Sequence, residues 1–350
     1  MTRTHTKPPI TAEHLQELIN RVPRVRLACT PTPLEELPRL AEALGGPRLF
    51  VKRDDLTGLA FGGNKVRNLE FRLAEALQAG ADTVIMFVDI LSNSARQTAA
   101  AATRCGLRTV LVLKGERPDH VTGNLLVDYL LGAEIVFAPD AAAQRRAVDQ
   151  AVERLRSQGR RPFVLNDSPM FAIAAALAYA EATLELLGQL QAHGIAPERL
   201  HLYISSTGKG QPGLELAVRA LGLPVKVTGA AVHHTGGEAR AWVAQGVNNA
   251  AAFLGLDLHV SPDEIDNRDD YVGPGYGVPS DAGNEAMLLT ARTQGLLLDP
   301  VYTAKAFAAI IDDVRRGRLG RGDTAVFVHT GGLPLLFNLA EQIAPLVVPE

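Results

Sequence analysis

Short, continuous apolar runs alternate along the chain with longer Ala/Leu-rich stretches. Thr83–Ile90 (TVIMFVDI) predicts a buried strand, and Ala95–Arg104 predicts a helix that Gly106 stops. Thr109–Leu113 is the next strand, Leu125–Leu131 a helix stopped by Gly132, and Glu134–Ala138 is strand-like again. After Pro162 the series resumes with a short strand at Phe163–Leu165, a helix over Ala172–Leu187 and a strand at Leu200–Ile204. It ends with a strand at Ala325–His329 and a helix from Leu333. Strands that are apolar throughout, separated by helices, predict parallel sheets covered on both faces. The expected fold class is α/β, with two domains built on twisted, mostly parallel sheets. Functional residues are expected where strand ends meet helix starts.

Composition narrows the class. A chain of 350 residues suits one large or two medium domains. Hydrophobic residues make up 47%, yet no run reads as long enough to cross a membrane. The opening MTRTHTKPPITAEHLQEL is polar and has no signal-peptide core. A net charge of −3 gives no general attraction to nucleic acid or anionic lipid. The two cysteines, Cys29 and Cys105, lie far apart and outside any CxxC pattern, so a reducing compartment is expected. A cytoplasmic enzyme without a metal is the expectation.

Four segments carry candidate chemistry. In the first, Lys52-Arg53-Asp54-Asp55 precedes Gly62-Gly63-Asn64-Lys65. The glycines permit a tight turn, Asn64 is placed to cap a helix, and Lys65 would then sit in its first turn. A lysine amine makes a Schiff-base nucleophile when burial or a nearby cation lowers its pKa. An exposed lysine at a helix start fits the same residues. In the second, Ser92-Asn93-Ser94-Ala95-Arg96-Gln97 follows a strand and opens a helix, where free N–H groups favour an anion such as a carboxylate. Asn93 offers a hydrogen bond to a ring oxygen; a plain Ser/Asn cap fits equally. In the third, Ser205-Ser206-Thr207-Gly208-Lys209-Gly210-Gln211-Pro212-Gly213 leads from a strand into a helix expected to run to Leu221. Small residues there make a phosphate cradle. The segment matches neither the Walker A nor the GxGxxG pattern. The fourth comprises Gly275-Tyr276-Gly277, Asp299-Pro300-Val301-Tyr302-Thr303 and His329-Thr330-Gly331-Gly332. Its two tyrosines sit beside turn residues.

In order along the chain, these segments resemble the family of D-cysteine desulfhydrase and 1-aminocyclopropane-1-carboxylate (ACC) deaminase. These are fold-type-II, tryptophan-synthase-β-like pyridoxal phosphate enzymes. The likeness runs from about Thr30 to Phe337 through TPLEELPRL, KRDDLTGLAFGGNKVRNLEF, SNSARQTAAAA, GNLLVDYLLGAE, YVGPGYGVP, LLLDPVYTAKA and FVHTGGLPLLF. It implies pyridoxal 5'-phosphate on Lys65, with Ser92, Asn93 and Ser94 facing substrate and cofactor. Thr207, Gly208, Lys209 and Gly210 would form the phosphate loop, Tyr276 and Tyr302 the active-site tyrosines, and Thr303 the group facing the pyridine nitrogen. The expected division is a large cofactor-binding domain of residues 1–67 and 177–350, with 68–176 inserted as a small domain and the active site between them. A homodimer and a small amino-acid substrate are also implied.

The departures lie on the substrate side. Val88-Asp89-Ile90-Leu91 stands where the family reads GG-I-Q, and Ser94 where a desulfhydrase commonly has His. Lys209-Gly210 replaces Ser or Gly followed by Thr, and Asn166–Phe171 replaces a glycine-rich stretch. The implied reaction is β-elimination, with freed Lys65 as base for the Cα proton. Thr303 stands where ACC deaminases carry an acid, which favours β-elimination over ring opening. The alternatives are ACC deamination, a cofactor-binding homologue with little turnover, and a nucleotide-binding α/β protein.

Overall fold

The chain is described by a computed structural model over residues 9–207, 209–233 and 237–348. Its strands are β1 (Leu34–Glu36), β2 (Arg48–Lys52), β3 (Thr83–Asp89), β4 (Arg108–Lys114), β5 (Glu134–Ala138), β6 (Pro162–Val164), β7 (Leu200–Ser206), β8 (Lys226–Ala231), β9 (Asp266–Arg268) and β10 (Thr324–Val328). They form two sheets, ordered β1-β2-β10-β7-β8-β9 and β5-β4-β3-β6. Every pairing is parallel except β1 with β2.

The apolar runs are continuous because each sheet is covered twice. In β4, Leu111 and Leu113 pack with Leu69, Leu73 and the alanines of helix Asn93–Arg104. The alternate residues Val110 and Val112 pack on the opposite face with Val148 and Leu155 of helix Ala141–Ser157. Each such buried aliphatic side chain contributes about 1.5–3 kcal/mol. In β7 every residue is buried. Leu202 and Ile204 meet Leu186, Leu190, Leu214 and Val218. On the other side, Tyr203 donates to Asp313 of helix Thr303–Arg315 at 2.5 Å. Neighbouring Phe327 meets Phe307 of that helix edge-on, with centroids 5.1 Å apart.

The expected strands and helices form at the expected places, with ends shifted by a few residues. Helices Ala141–Ser157, Glu238–Leu254, Asp281–Gln294 and Thr303–Arg315, and strands β1, β2, β8 and β9, were not anticipated. Asn64 is a cap by position only: its side chain makes no capping hydrogen bond, and its backbone is already helical. The expectation that no apolar run reaches membrane-spanning length fails for helix Met170–Ala192, which is long and apolar enough by composition. Its most apolar window is 61% buried. Packing explains part of that composition. A Cβ on Gly213 would lie 2.4 Å from Ala176 O and from Tyr179 Cβ, so a neighbouring helix rests directly on this one.

The chain divides into two compact units. One contains 1–22, 31–54 and 175–331; the other contains 23–30, 55–174 and 332–350. These limits differ from the expected ones at 23–30, 55–67, 175–176 and 332–350, and local contacts account for most of the difference. Leu27 N and Ala28 N donate to Glu70 Oε1 at 2.8 and 2.9 Å, which ties 23–30 to helix Lys65–Gln78. Residues 55–67 lead into that helix, whose Leu69 and Leu73 fill the second unit's core. Near the C-terminus, Asn338 accepts from Asn124 N at 3.4 Å and donates to Thr122 O at 3.3 Å.

Candidate active site

In the second unit, Lys65 is the first residue of helix Lys65–Gln78 and is half-buried. The chain reaches it through Gly58, Leu59, Ala60, Phe61, Gly62 and Gly63, all at positive φ. Left-handed backbone costs a non-glycine residue roughly 1–2 kcal/mol, so three such residues together require external support. Thr57 supplies some of it: its hydroxyl donates to Gly63 O and accepts from Gly63 N, both at 2.8 Å. Gly62 has no alternative, since a Cβ there would sit 2.1 Å from Asp55 O.

Arg96, fully buried, supplies more. Its Nη1 donates to Ala60 O and, at 3.3 Å, to Gly62 O. From the same guanidinium, Nη2 donates to Asn93 Oδ1 at 3.3 Å and Nε to Asn124 Oδ1 at 2.8 Å. Asn124 Nδ2 in turn donates to Asn93 Oδ1 at 3.0 Å. Gln97 Oε1 accepts from Val66 N at 3.1 Å. The turn that delivers Lys65 and the helix start that carries Ser92, Asn93 and Ser94 are thereby fastened together. Ser92 caps that helix, its hydroxyl accepting from Ser94 N at 3.2 Å. Burial brings Arg96 down to about 10, with Asp128 opposing, so it stays charged at neutral pH; burial brings Asp128 up to about 7.

The departures on this side have local uses. Asp89 Oδ1 accepts from Leu91 N at 3.1 Å and shapes the turn before Ser92. Asn166 pairs with both backbone groups of Phe87 at 3.0 Å, extending the edge of β3 beyond β6.

In the first unit, one candidate segment lies at the C-terminal edge of a parallel sheet, where open α/β folds bind ligands. Thr207, Lys209 and Gly210 follow β7 and lead into helix Gln211–Ala220; Gly208 lies outside the described residues. In the first turn of that helix Pro212 has no N–H and Gly213 N donates to Gly210 O at 3.1 Å, so it is chiefly the positive end of the helix dipole that favours an anion. Gln211 itself is structural, bonded to Asp266 O at 2.9 Å and to Asn267 Nδ2 at 2.7 Å.

The hydroxyls of Tyr276 and Tyr302 hydrogen-bond each other, with ring centroids 6.0 Å apart. His233 meets Tyr276 edge-on at 5.5 Å. Thr303 is fully buried, and its hydroxyl accepts from Asp299 N at 2.7 Å and donates to Asp299 Oδ2 at 2.6 Å. The Asp299 carboxylate also accepts from the backbone N–H of Val301, Tyr302 and Thr303 at 2.8–3.0 Å, which fixes the backbone beneath both side chains. Burial raises its carboxyl despite these donors.

Lys305 was not foreseen. Fully buried, its Nζ donates to Val272 O at 2.7 Å and to Gly275 O at 3.0 Å, holding the loop that bears Tyr276. Arg96, Asn124 and Asp299 also act on the candidate residues without having been assigned that role. A cation among alanines near the start of a helix was the available sign for both Arg96 and Lys305. Two singled-out groups are structural instead. Lys52 is buried with Glu185 and Gln189, and Asp54 accepts from Thr32 and Tyr179. His329 accepts from Gly331 N through Nδ1, so Nε2 carries the proton and donates to Leu297 O at 2.8 Å.

Comparison with known proteins identifies the family and its cofactor. The family model described as "Pyridoxal-phosphate dependent enzyme" matches residues 25–331. The chain belongs to that family. Pyridoxal phosphate is therefore its cofactor. Within the family, the chain is 39% identical over 331 residues to a D-cysteine desulfhydrase of Salmonella choleraesuis (strain SC-B67), covering 91% of this chain and 97% of that one. It is 38% identical over 335 residues to the D-cysteine desulfhydrase of Salmonella typhi, with the same coverage. A solved ACC deaminase homologue superposes with a TM-score of 0.82 at 31% identity, covering 95% of this chain and 99% of that one. A fungal L-serine ammonia-lyase from Rhizomucor miehei shares the fold alone, with a TM-score of 0.64 at 16% identity over 90% of this chain and 96% of that one.

The donor set suits this cofactor. Asn93 Nδ2 has no hydrogen-bond partner among the described residues. Gln97 Nε2 is buried and has no hydrogen-bond partner among the described residues. The helix start after β7 suits a phosphate, and Lys65 provides an amine.

Proposed function

We propose that the protein is a pyridoxal-phosphate-dependent lyase that removes a β-substituent from a small amino acid, D-cysteine or a related β-substituted alanine. The products are the released substituent, a 2-oxo acid and ammonia. The observation that carries this choice over ring opening is Thr303, a neutral hydroxyl bound to Asp299. A neutral oxygen adds no charge to hold a ring nitrogen protonated. Asp299 lies one hydrogen bond further back, is already satisfied by several donors, and is raised by burial.

The remaining residues divide the work. Lys65 Nζ would hold the cofactor and, when free, would take the Cα proton. Bound pyridoxal phosphate supplies an electron sink for the charge left at Cα. Asn93 Nδ2 donates to an anionic ring oxygen, and Ser92 and Ser94 face the substrate carboxylate. Thr207, Gly208, Lys209 and Gly210 hold the phosphate at the start of helix Gln211–Ala220. The bonded hydroxyls of Tyr276 and Tyr302 pass a proton toward the leaving group. Elimination breaks the Cα–H and Cβ–X bonds; water then converts the released enamine to 2-oxo acid and ammonia. A cytoplasmic homodimer, independent of membrane and nucleic acid, completes the reading.

The test compares pyruvate release from D-cysteine, L-cysteate and β-chloroalanine with 2-oxobutyrate release from ACC. A β-substituted substrate is expected to turn over fastest. Borohydride reduction is expected to fix the cofactor on Lys65 and on no other lysine, and Lys65→Ala to abolish both label and turnover. Faster turnover of ACC than of every β-substituted substrate would overturn the choice of reaction.

A further inference from the structure

An asparagine side chain presents a donor on one side and an acceptor on the other, and its neighbours decide which faces a ligand. The neighbours of Asn93 leave one solution. Arg96 is donor-only. The Asn124 atom that receives Arg96 Nε must therefore be oxygen, and the other terminal atom of Asn124 must be the NH2 group. That NH2 and Arg96 Nη2 converge on a single Asn93 atom, at 3.0 and 3.3 Å. Only an oxygen accepts both. The Asn93 NH2 is left on the opposite side, and no described residue takes its protons.

We propose that Arg96 and Asn124 are positioning residues that polarise Asn93, so that its NH2 rather than its carbonyl meets the bound cofactor. Through Nη1, the same guanidinium sets the left-handed turn that delivers Lys65. Arg96 thus couples the two residues that must reach one ligand from different helices. A planar guanidinium is required because three of its nitrogens are used in three directions. The ammonium of a lysine carries the same charge without that fork. Asp128, buried nearby, interacts electrostatically with Arg96. The inference rests on the proposed assignment of Lys65 and Asn93 to the cofactor.

The experiment uses holoenzyme prepared with pyridoxal phosphate. Asn124→Asp is close to isosteric but replaces the donor by a second acceptor, so it releases the constraint on the Asn93 amide. Arg96→Lys removes the fork. Cofactor dissociation constants and the pH dependence of the bound cofactor's visible absorbance are measured for each, alone and combined with Asn93→Ala. Thermal midpoints establish that each variant is folded. Asn124→Asp is expected to weaken cofactor binding roughly tenfold or more, the size of one charge-assisted hydrogen bond, and to move the absorbance titration as Asn93→Ala does. In the Asn93→Ala background it should have little further effect. Arg96→Lys should additionally raise amide hydrogen exchange across residues 57–65, which Asn124→Asp should leave unchanged. Equal, additive effects with and without Asn93 would overturn the proposal, because a merely structural role does not depend on that amide. Wild-type protein that fails to take up cofactor on Lys65 would instead overturn the functional assignment, and this inference with it.

Discussion

Gly62 and Gly45 have nearly the same backbone, φ +62 and +63, but different surroundings. A Cβ at Gly45 meets nothing within 4 Å, whereas at Gly62 it would lie 2.1 Å from Asp55 O and 3.2 Å from Thr57 N. Substitution by alanine at Gly45 therefore carries only the left-handed penalty, about 1–2 kcal/mol. At Gly62 the same penalty is joined by a collision with backbone that must move. Overpacking of this kind costs about 1–3 kcal/mol, so Gly62→Ala should destabilise by about 2–5 kcal/mol. The displaced atoms belong to the turn that Thr57 and Arg96 hold, so Lys65 should also be misplaced. A misplacement near 1 Å costs on the order of 100-fold in turnover. Urea unfolding followed by circular dichroism gives the two stabilities, and pyruvate release gives turnover for the folded variants. Gly45→Ala should keep wild-type turnover. Equal destabilisation of the two variants, or unchanged turnover in Gly62→Ala, would refute the reasoning.

Three further outcomes follow from the geometry. Lys305→Met removes the donor to Val272 O and Gly275 O; turnover should fall about 10- to 100-fold through Tyr276 while cofactor affinity stays near wild type, as equilibrium binding will reveal. Lys209→Ala should weaken cofactor affinity roughly tenfold with little change in turnover at saturating cofactor; unchanged affinity would place Lys209 away from the phosphate. The folded state raises Asp128 from 3.8 to about 7, so it keeps a proton that the unfolded chain has lost between those pH values. Stability from this group is thus greatest below about pH 4, falls as pH rises toward about 7 and levels off above. Asp128→Asn should flatten that slope in pH-dependent urea unfolding, and an unaltered slope would remove Asp128 as its source.

Local pattern by itself determined much of this protein. Alternating apolar runs and helical stretches specify parallel, doubly covered sheets, because a strand buried on both faces has no polar side to show, as Leu111 and Val112 illustrate. The candidate site residues were also legible: Lys65, Asn93, Tyr276, Tyr302 and Thr303 stand in short segments whose turns and helix starts are written by neighbouring glycines and prolines. Tertiary structure decided what holds them. Arg96 reaches 28 residues to Asn124 and 36 to Ala60, and Lys305 reaches 33 to Val272. Buried polar partners at such separations leave no period in the sequence, because they are set by how helices and loops pack. The same holds for Asn64, whose expected cap is absent, and for residues 332–350, which belong to the second unit. Hydrophobic periodicity encodes which face of an element is buried; it does not encode which distant polar atom must be satisfied once that burial has occurred.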